Sequence, residues 1–73
     1  MYKADLNVRY LVITDRYDPY EEELEDTFLF ESDALDYAED TATLYGVNFC
    51  KVVRVSNGVQ KLIAFYPGQH IKP

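Results

Sequence analysis

The sequence predicts an α+β fold in the order ββαββ, in which one helix packs on one face of a four-stranded, mainly antiparallel sheet. Three features predict it. Residues 7–14 are typical of a strand, residues 33–45 repeat apolar side chains at helical spacing, and Asn57-Gly58 separates two β-branched runs. The 73 residues predict a single small domain, residues 1–73.

The first strand, residues 7–14, is rich in β-branched and aromatic side chains. A short second strand is predicted at residues 27–31. Between them, residues 15–26 predict an acidic loop, because Pro19 cannot donate to a strand ladder and the glutamate-rich run after it contains one apolar residue, Leu24.

The helix is predicted over residues 33–45. Ser32 is a suitable N-cap, and Gly46 stands where a left-handed residue commonly ends a helix. Apolar side chains three and four positions apart predict the face that packs on the sheet: Leu35, Ala38, Ala42 and Tyr45.

Residues 47–55 and 59–66 predict a β-hairpin, because Asn-Gly is the preferred pair of a type I′ turn. Residues 67–73 predict a tail after it. The two-residue loop sets the facing pairs, from Val55 with Gln60, through Val53 with Leu62 and Val52 with Ile63, to Phe49 with Tyr66.

Both faces of this hairpin are apolar, although a single helix can cover only one of them. The uncovered face predicts an interface, made either by a homodimer that packs sheet on sheet or by another protein partner. The alternative is that the first strand, the acidic loop and the tail fold over this face. The candidate interface residues are Phe49, Val53, Leu62 and Tyr66.

The same register places Arg54 opposite Lys61 near the turn. Directly facing like charges destabilise a strand pair. The sequence therefore predicts that another group neutralises them, either a bound anion or, as the abundance of acidic residues favours, a carboxylate.

The chain is acidic, with a net charge of −6, and 12 of its 13 acidic residues lie within residues 15–40. This charge opposes direct binding to nucleic acid or an anionic membrane and favours a basic protein partner. The alternative is a solvated surface that keeps a small domain in solution. Tyr17 and Tyr20 either contact the partner or fold back on the sheet. The candidate acidic residues are Asp15, Tyr17, Asp18, Tyr20, Glu21, Glu22, Glu25, Asp36, Glu39 and Asp40.

No catalytic, metal-binding or cofactor-binding pattern is visible. Cys50 and His70 are the one cysteine and the one histidine, which excludes a Cys/His metal cluster and a disulfide within the chain. Cys50 lies among apolar residues and is predicted to be a core residue. The acidic loop lacks the spacing of a calcium-binding EF-hand. No membrane-length apolar run or secretory signal occurs, so we expect a cytoplasmic protein.

The sequence therefore predicts a non-catalytic interaction domain that presents its acidic loop and helix to a basic partner, as an inhibitor or a nucleic-acid mimic would. The alternative hypothesis is a structural homodimer that joins through the exposed sheet face, with an acidic surface that serves solubility. An enzyme or small-ligand site in a dimer cleft is a third hypothesis. No cofactor is expected.

Overall fold

Within the residues that the computed structural model describes, 7–16, 22–44 and 46–68, the chain forms one open antiparallel sheet of four strands and one helix. The predicted ββαββ order is confirmed. The strands lie in the order β2-β1-β3-β4. The elements are β1 (Val8–Arg16), β2 (Glu22–Phe28), α1 (Glu31–Thr41), β3 (Val47–Ser56) and β4 (Val59–Pro67).

β1 and β2 take up most of the segment predicted as an acidic loop. β1 continues to Arg16, and residues 22–26 belong to β2, so the predicted bounds of the loop and of the strand at 27–31 are wrong. β2 lies at the sheet edge, where its acidic side chains remain largely exposed to water, and this is why a glutamate-rich run is compatible with a strand. Residues 17–21 of the predicted loop lie outside the described residues.

α1 begins two residues earlier and ends four residues earlier than predicted. Its N-cap is Phe30, without a side-chain hydrogen bond, so the prediction of Ser32 as the cap is wrong. Glu31 and Asp33 lie in the first turn, where the helix dipole favours negative charge. After the helix, the N–H of Leu44 donates to the carbonyl of Thr41 at 3.0 Å, which continues the chain as a tight turn.

The hairpin between β3 and β4 turns at Asn57 and Gly58, as predicted. Their φ angles are 52° and 80°, the left-handed conformation that a type I′ turn requires at both central positions. Gly46, predicted to end the helix, also has a positive φ of 89°. Its position before β3 therefore turns the chain into the strand rather than capping α1 directly.

A β-bulge changes the register in the outer half of this hairpin. Val53 pairs with Leu62 as predicted, but Val52 pairs with Ala64, because Ile63 is an extra residue in β4. The predicted pairs from Val52 outward are therefore wrong by one position. Since side chains alternate along a strand, the shift moves the following residues of β4 to the opposite faces.

The core lies between α1 and the sheet face beneath it. The helix and its C-cap contribute three fully buried alanines, whose small side chains let the backbone approach the sheet closely. Cys50 is buried there, as the sequence predicts, and the partly buried Leu35 packs at the edge. The buried cluster consists of Val12, Ala34, Ala38, Ala42, Cys50 and Val52.

Arg54 and Lys61 face each other across β3 and β4, as predicted. Within the described part of the chain, no ion pair joins either of them to a carboxylate, so the predicted carboxylate is not found there. The two cations repel each other next to the turn.

We expect Lys61→Glu to raise the free energy of unfolding by about 0.5 kcal/mol, because it replaces a like-charge pair by an attractive one. Urea unfolding measures the change. Gln60→Glu is the control, since Gln60 is also exposed on β4 but faces Val55. Equal effects of the two substitutions would contradict the local explanation.

Candidate interaction surfaces

α1 carries five exposed carboxylates. The buried alanines fix the orientation of the helix on the sheet, so four of the carboxylates lie on its outer side, and the fifth, that of Glu31, is exposed in the first turn. No lysine or arginine occurs in the helix sequence. We call this set the acidic helix surface: Glu31, Asp33, Asp36, Glu39 and Asp40. It includes three of the residues assigned to an acidic surface from the sequence.

Tyr66 lies at the border of this surface, on the helix side of the sheet. Burial raises the pKa of its phenol, and the negative charges of Glu39 and Asp36 raise that pKa further. The field of the acidic helix surface therefore reaches the sheet beneath the helix. Tyr66 packs against the core cluster. Its prediction as a residue of the uncovered sheet face is thus wrong, because the bulge at Ile63 turns it to the helix side.

Two acidic residues of β2 that the sequence assigns to an acidic surface, Glu22 and Glu25, have partners within the sheet. Glu22 pairs with Asp15 at one end of β2, and its Oε2 forms an ion pair with Lys51 Nζ at 3.0 Å. Glu25 is half-buried, and its Oε2 accepts a hydrogen bond from Thr14 Oγ1 at 3.0 Å. Both of these predicted residues therefore have partners within the fold.

Asp15 is only 1% exposed, so its prediction as part of an exposed acidic surface is wrong. Its Oδ2 accepts a hydrogen bond from Asn48 Nδ2 at 3.3 Å, and its Oδ1 is buried without a hydrogen-bond partner. The sequence ends β1 at Thr14, whereas Asp15 belongs to the strand, pairs with Phe49 and Glu22, and is held by Asn48. The other predicted residues of this segment, Tyr17, Asp18, Tyr20 and Glu21, lie outside the described residues.

The sheet face opposite the helix is the second candidate surface. We call it the open sheet face, since no helix or strand in the described part of the chain packs on it. Three of its predicted residues, Phe49, Val53 and Leu62, lie on this side by register, but Val53 is only 8% exposed, so its prediction as an exposed interface residue is wrong. The apolar residues of this face are Leu11, Ile13, Leu24, Phe49, Val53, Val55, Leu62 and Phe65.

An aromatic pair lies on the half of the open sheet face that β3 and β4 form. The rings of Phe49 and Phe65 stack with centroids 5.1 Å apart, and Lys51 Nζ lies 5.9 Å from the Phe49 centroid. Leu62 and Phe65 are 56% and 53% exposed. Phe65 takes the place that the sequence assigns to Tyr66. Leu24 at the β2 edge, 59% exposed, is also missed, although its apolar character within the acidic run was a usable signal.

Reactive and metal-binding side chains are few in the described residues. The Cys50 thiol is fully buried in the core. No group of three or more His, Cys, Asp or Glu side chains that could hold a metal ion occurs within residues 7–16, 22–44 and 46–68. His70 lies outside these ranges. The helix that the structure describes is not long and apolar enough to cross a membrane.

The fold and its two surfaces define a small α+β domain, acidic on its helix and apolar on its open sheet face. Comparisons with known protein families, with curated proteins and with solved structures find no match to this chain.

Proposed function

We propose that the chain is a non-catalytic protein-interaction domain that binds a basic partner through the acidic helix surface. The observation that carries this proposal is the distribution of charge on α1. Every acidic side chain of the helix is exposed, and no basic residue of the helix neutralises them. Such a field attracts a positively charged groove and speeds its association.

The spacing of these charges supports one class of partner. At about 1.5 Å per residue, Glu31 and Asp40 lie about 14 Å apart along the helix axis. Five charges over this length give about one charge per 3 Å along the helix axis, close to the one charge per about 3.4 Å of duplex axis that one strand of B-DNA carries. A basic groove that tracks a nucleic-acid backbone is therefore the partner surface that the helix fits best, and the domain would act there as a nucleic-acid mimic.

The apolar side of the helix holds the acidic helix surface in a fixed position. α1 is seated on the sheet by buried alanines, so its outer carboxylates keep fixed relative positions. Residues 17–21, which the sequence also assigns to an acidic surface, lie outside the described residues. The proposal therefore depends on the helix alone.

The test is affinity capture with the immobilised chain at low and at high salt, followed by measurement of affinity for the captured protein. Asp36→Asn/Glu39→Gln is expected to weaken binding about tenfold, because it removes two of the charges that face the partner. Glu23→Gln/Asp26→Asn is the matched control, since it removes two exposed charges from β2 instead.

We expect basic captured proteins that high salt releases, and a loss of affinity confined to the helix variant. Captured proteins that are not basic, or that stay bound at high salt, would contradict the proposal. Equal weakening by both double variants would show that net charge, and not the acidic helix surface, determines binding.

A further inference from the structure

β4 has no neighbouring strand on its outer side within the described part of the chain. The strands lie in the order β2-β1-β3-β4, so β2 and β4 form the two edges of the described sheet. Edge strands carry backbone N–H and C=O groups that can pair with an added strand. β2 opposes such addition, because it contains four acidic residues and a bulge at Glu25. β4 contains no acidic residue, and its Val59 and Leu62 are more than half exposed.

The hairpin register determines which backbone groups of β4 face outward. In a two-residue hairpin the residues that flank the turn, here Ser56 and Val59, exchange hydrogen bonds, and bonded and non-bonded pairs alternate from there. Val59 and Lys61 therefore direct their N–H and C=O groups to β3. Gln60 and Leu62 direct theirs to the outer edge. Both lie before the bulge of β4, where the strand is regular.

The charge beside this edge selects what can pair with it. Lys61 faces Arg54 on the side of the sheet where Tyr10 packs against the core. Within residues 7–16, 22–44 and 46–68, no ion pair joins either cation to a carboxylate. An added antiparallel strand places one residue opposite Lys61 in a non-hydrogen-bonded pair, where side chains lie closest. A carboxylate at that position is attracted by both cations, whereas a basic residue there adds a third like charge.

We propose that the outer edge of β4 binds an extended segment of another protein as an added antiparallel strand, with a carboxylate of that segment opposite Lys61. The neighbours of this carboxylate point to the open sheet face, since side chains alternate along a strand. Leu62, which is 56% exposed on that face, favours an apolar residue beside it. The segment therefore alternates acidic and apolar side chains, and backbone hydrogen bonds to Gln60 and Leu62 hold it in place.

The test is amide hydrogen exchange of the full chain, followed by NMR, with two synthetic peptides. One peptide alternates valine and threonine around a central glutamate, and the other carries lysine in place of the glutamate. Both are N-methylated along one edge, so that they do not pair with themselves. At about ten times its dissociation constant, the glutamate peptide is expected to slow exchange of the Gln60 and Leu62 amides about tenfold. The lysine peptide is expected to bind about fivefold more weakly, because its charge repels Lys61.

Lys61→Gln and Gln60→Glu form a matched pair of variants, because each lowers the net charge by one unit. Lys61→Gln is expected to bring the dissociation constants of the two peptides within about twofold of each other. Gln60→Glu is expected to keep the preference for the glutamate peptide, since Gln60 is also exposed on β4 but faces Val55. Circular dichroism checks that both variants fold, and the two peptides with the wild-type chain decide the question even if one does not.

Equal binding of the two peptides, or a preference that Lys61→Gln leaves unchanged, would overturn the inference. So would a failure of the glutamate peptide to slow exchange at Gln60 and Leu62. Amides that already exchange slowly there in the dilute chain would show that another segment of the same chain occupies the edge. Protection that rises with protein concentration would assign the edge to a second copy, and both results would overturn the inference. The edge uses no residue of the acidic helix surface, so these outcomes leave the proposed function untouched.

Discussion

Ala38→Leu is expected to lower the free energy of unfolding by about 2 kcal/mol, because extra methylene groups cannot enter a closely packed interface without displacing the helix. Ala38 is fully buried in the cluster formed with Val12, Cys50 and Val52. The position allows a methyl group and no more, since the helix backbone approaches the sheet along its alanines. Urea unfolding followed by circular dichroism measures the effect.

Glu39→Leu provides the matched control for this substitution. It introduces the same side chain one position along α1, on the exposed side. We expect its effect on the free energy of unfolding to remain within about 0.5 kcal/mol, as is usual for surface positions. If Ala38→Leu proved equally mild, α1 would not be held close to the sheet, and the fixed spacing of the acidic helix surface would lose its structural basis.

The helix shows how far periodicity can predict this fold. Ala38 and Ala42 were correctly predicted to face the sheet, because their spacing defines a face whatever the exact helix bounds. The predicted cap at Ser32 is wrong because a suitable side chain is not sufficient for capping. The chain leaves β2 at Phe28 and enters the helix at Glu31, so Ser32 already lies inside the first turn.

The hairpin shows which strand pairs local sequence rules predict and which they do not. Asn57-Gly58 determines the turn and the four pairs that follow it, because a two-residue loop leaves no freedom there. The bulge at Ile63 has no local signal, since its neighbours on both sides are apolar and fit either face. That one residue exchanges Tyr66 for Phe65 on the open sheet face, which changes the candidate interface itself.

The prediction of an acidic loop at residues 15–26 is wrong for a different reason. Strand propensity opposes Glu22 and Glu23 in β2, but an edge strand can pair its backbone with β1 while its side chains stay in water. Burial of Asp15 was equally hidden, because it depends on the contact between the ends of β1 and β3, where Asn48 donates to its carboxylate. The pairing of strands that are distant in the sequence determines both the strand at Glu22 and Glu23 and the burial of Asp15. Amino-acid composition does not reveal that pairing.

Gly68→Ala is expected to lower the free energy of unfolding by about 2 kcal/mol, because the position directly after β4 has no room for a side chain. A Cβ at Gly68 would overlap the carbonyl oxygen of Val47 and lie 2.9 Å from that of Asn48. Both obstacles are backbone atoms, which cannot rotate away. The end of β4 would have to separate from β3 and lose the hydrogen bond from the Gly68 N–H to the Asn48 carbonyl, now 2.8 Å long.

Gly58→Ala separates this steric effect from the ordinary cost of replacing glycine. A Cβ at Gly58 meets no atom within 4 Å, and its φ of +80° gives a purely conformational penalty of about 1 kcal/mol. Urea unfolding compares the two variants, and amide exchange at residue 68 reports whether the strand end has opened. Asn48 also donates to the buried carboxylate of Asp15, so an opened strand end would expose that group as well. A loss for Gly68→Ala no larger than that for Gly58→Ala would mean that the strand end separates freely and that its contact with Val47 and Asn48 contributes little to the fold.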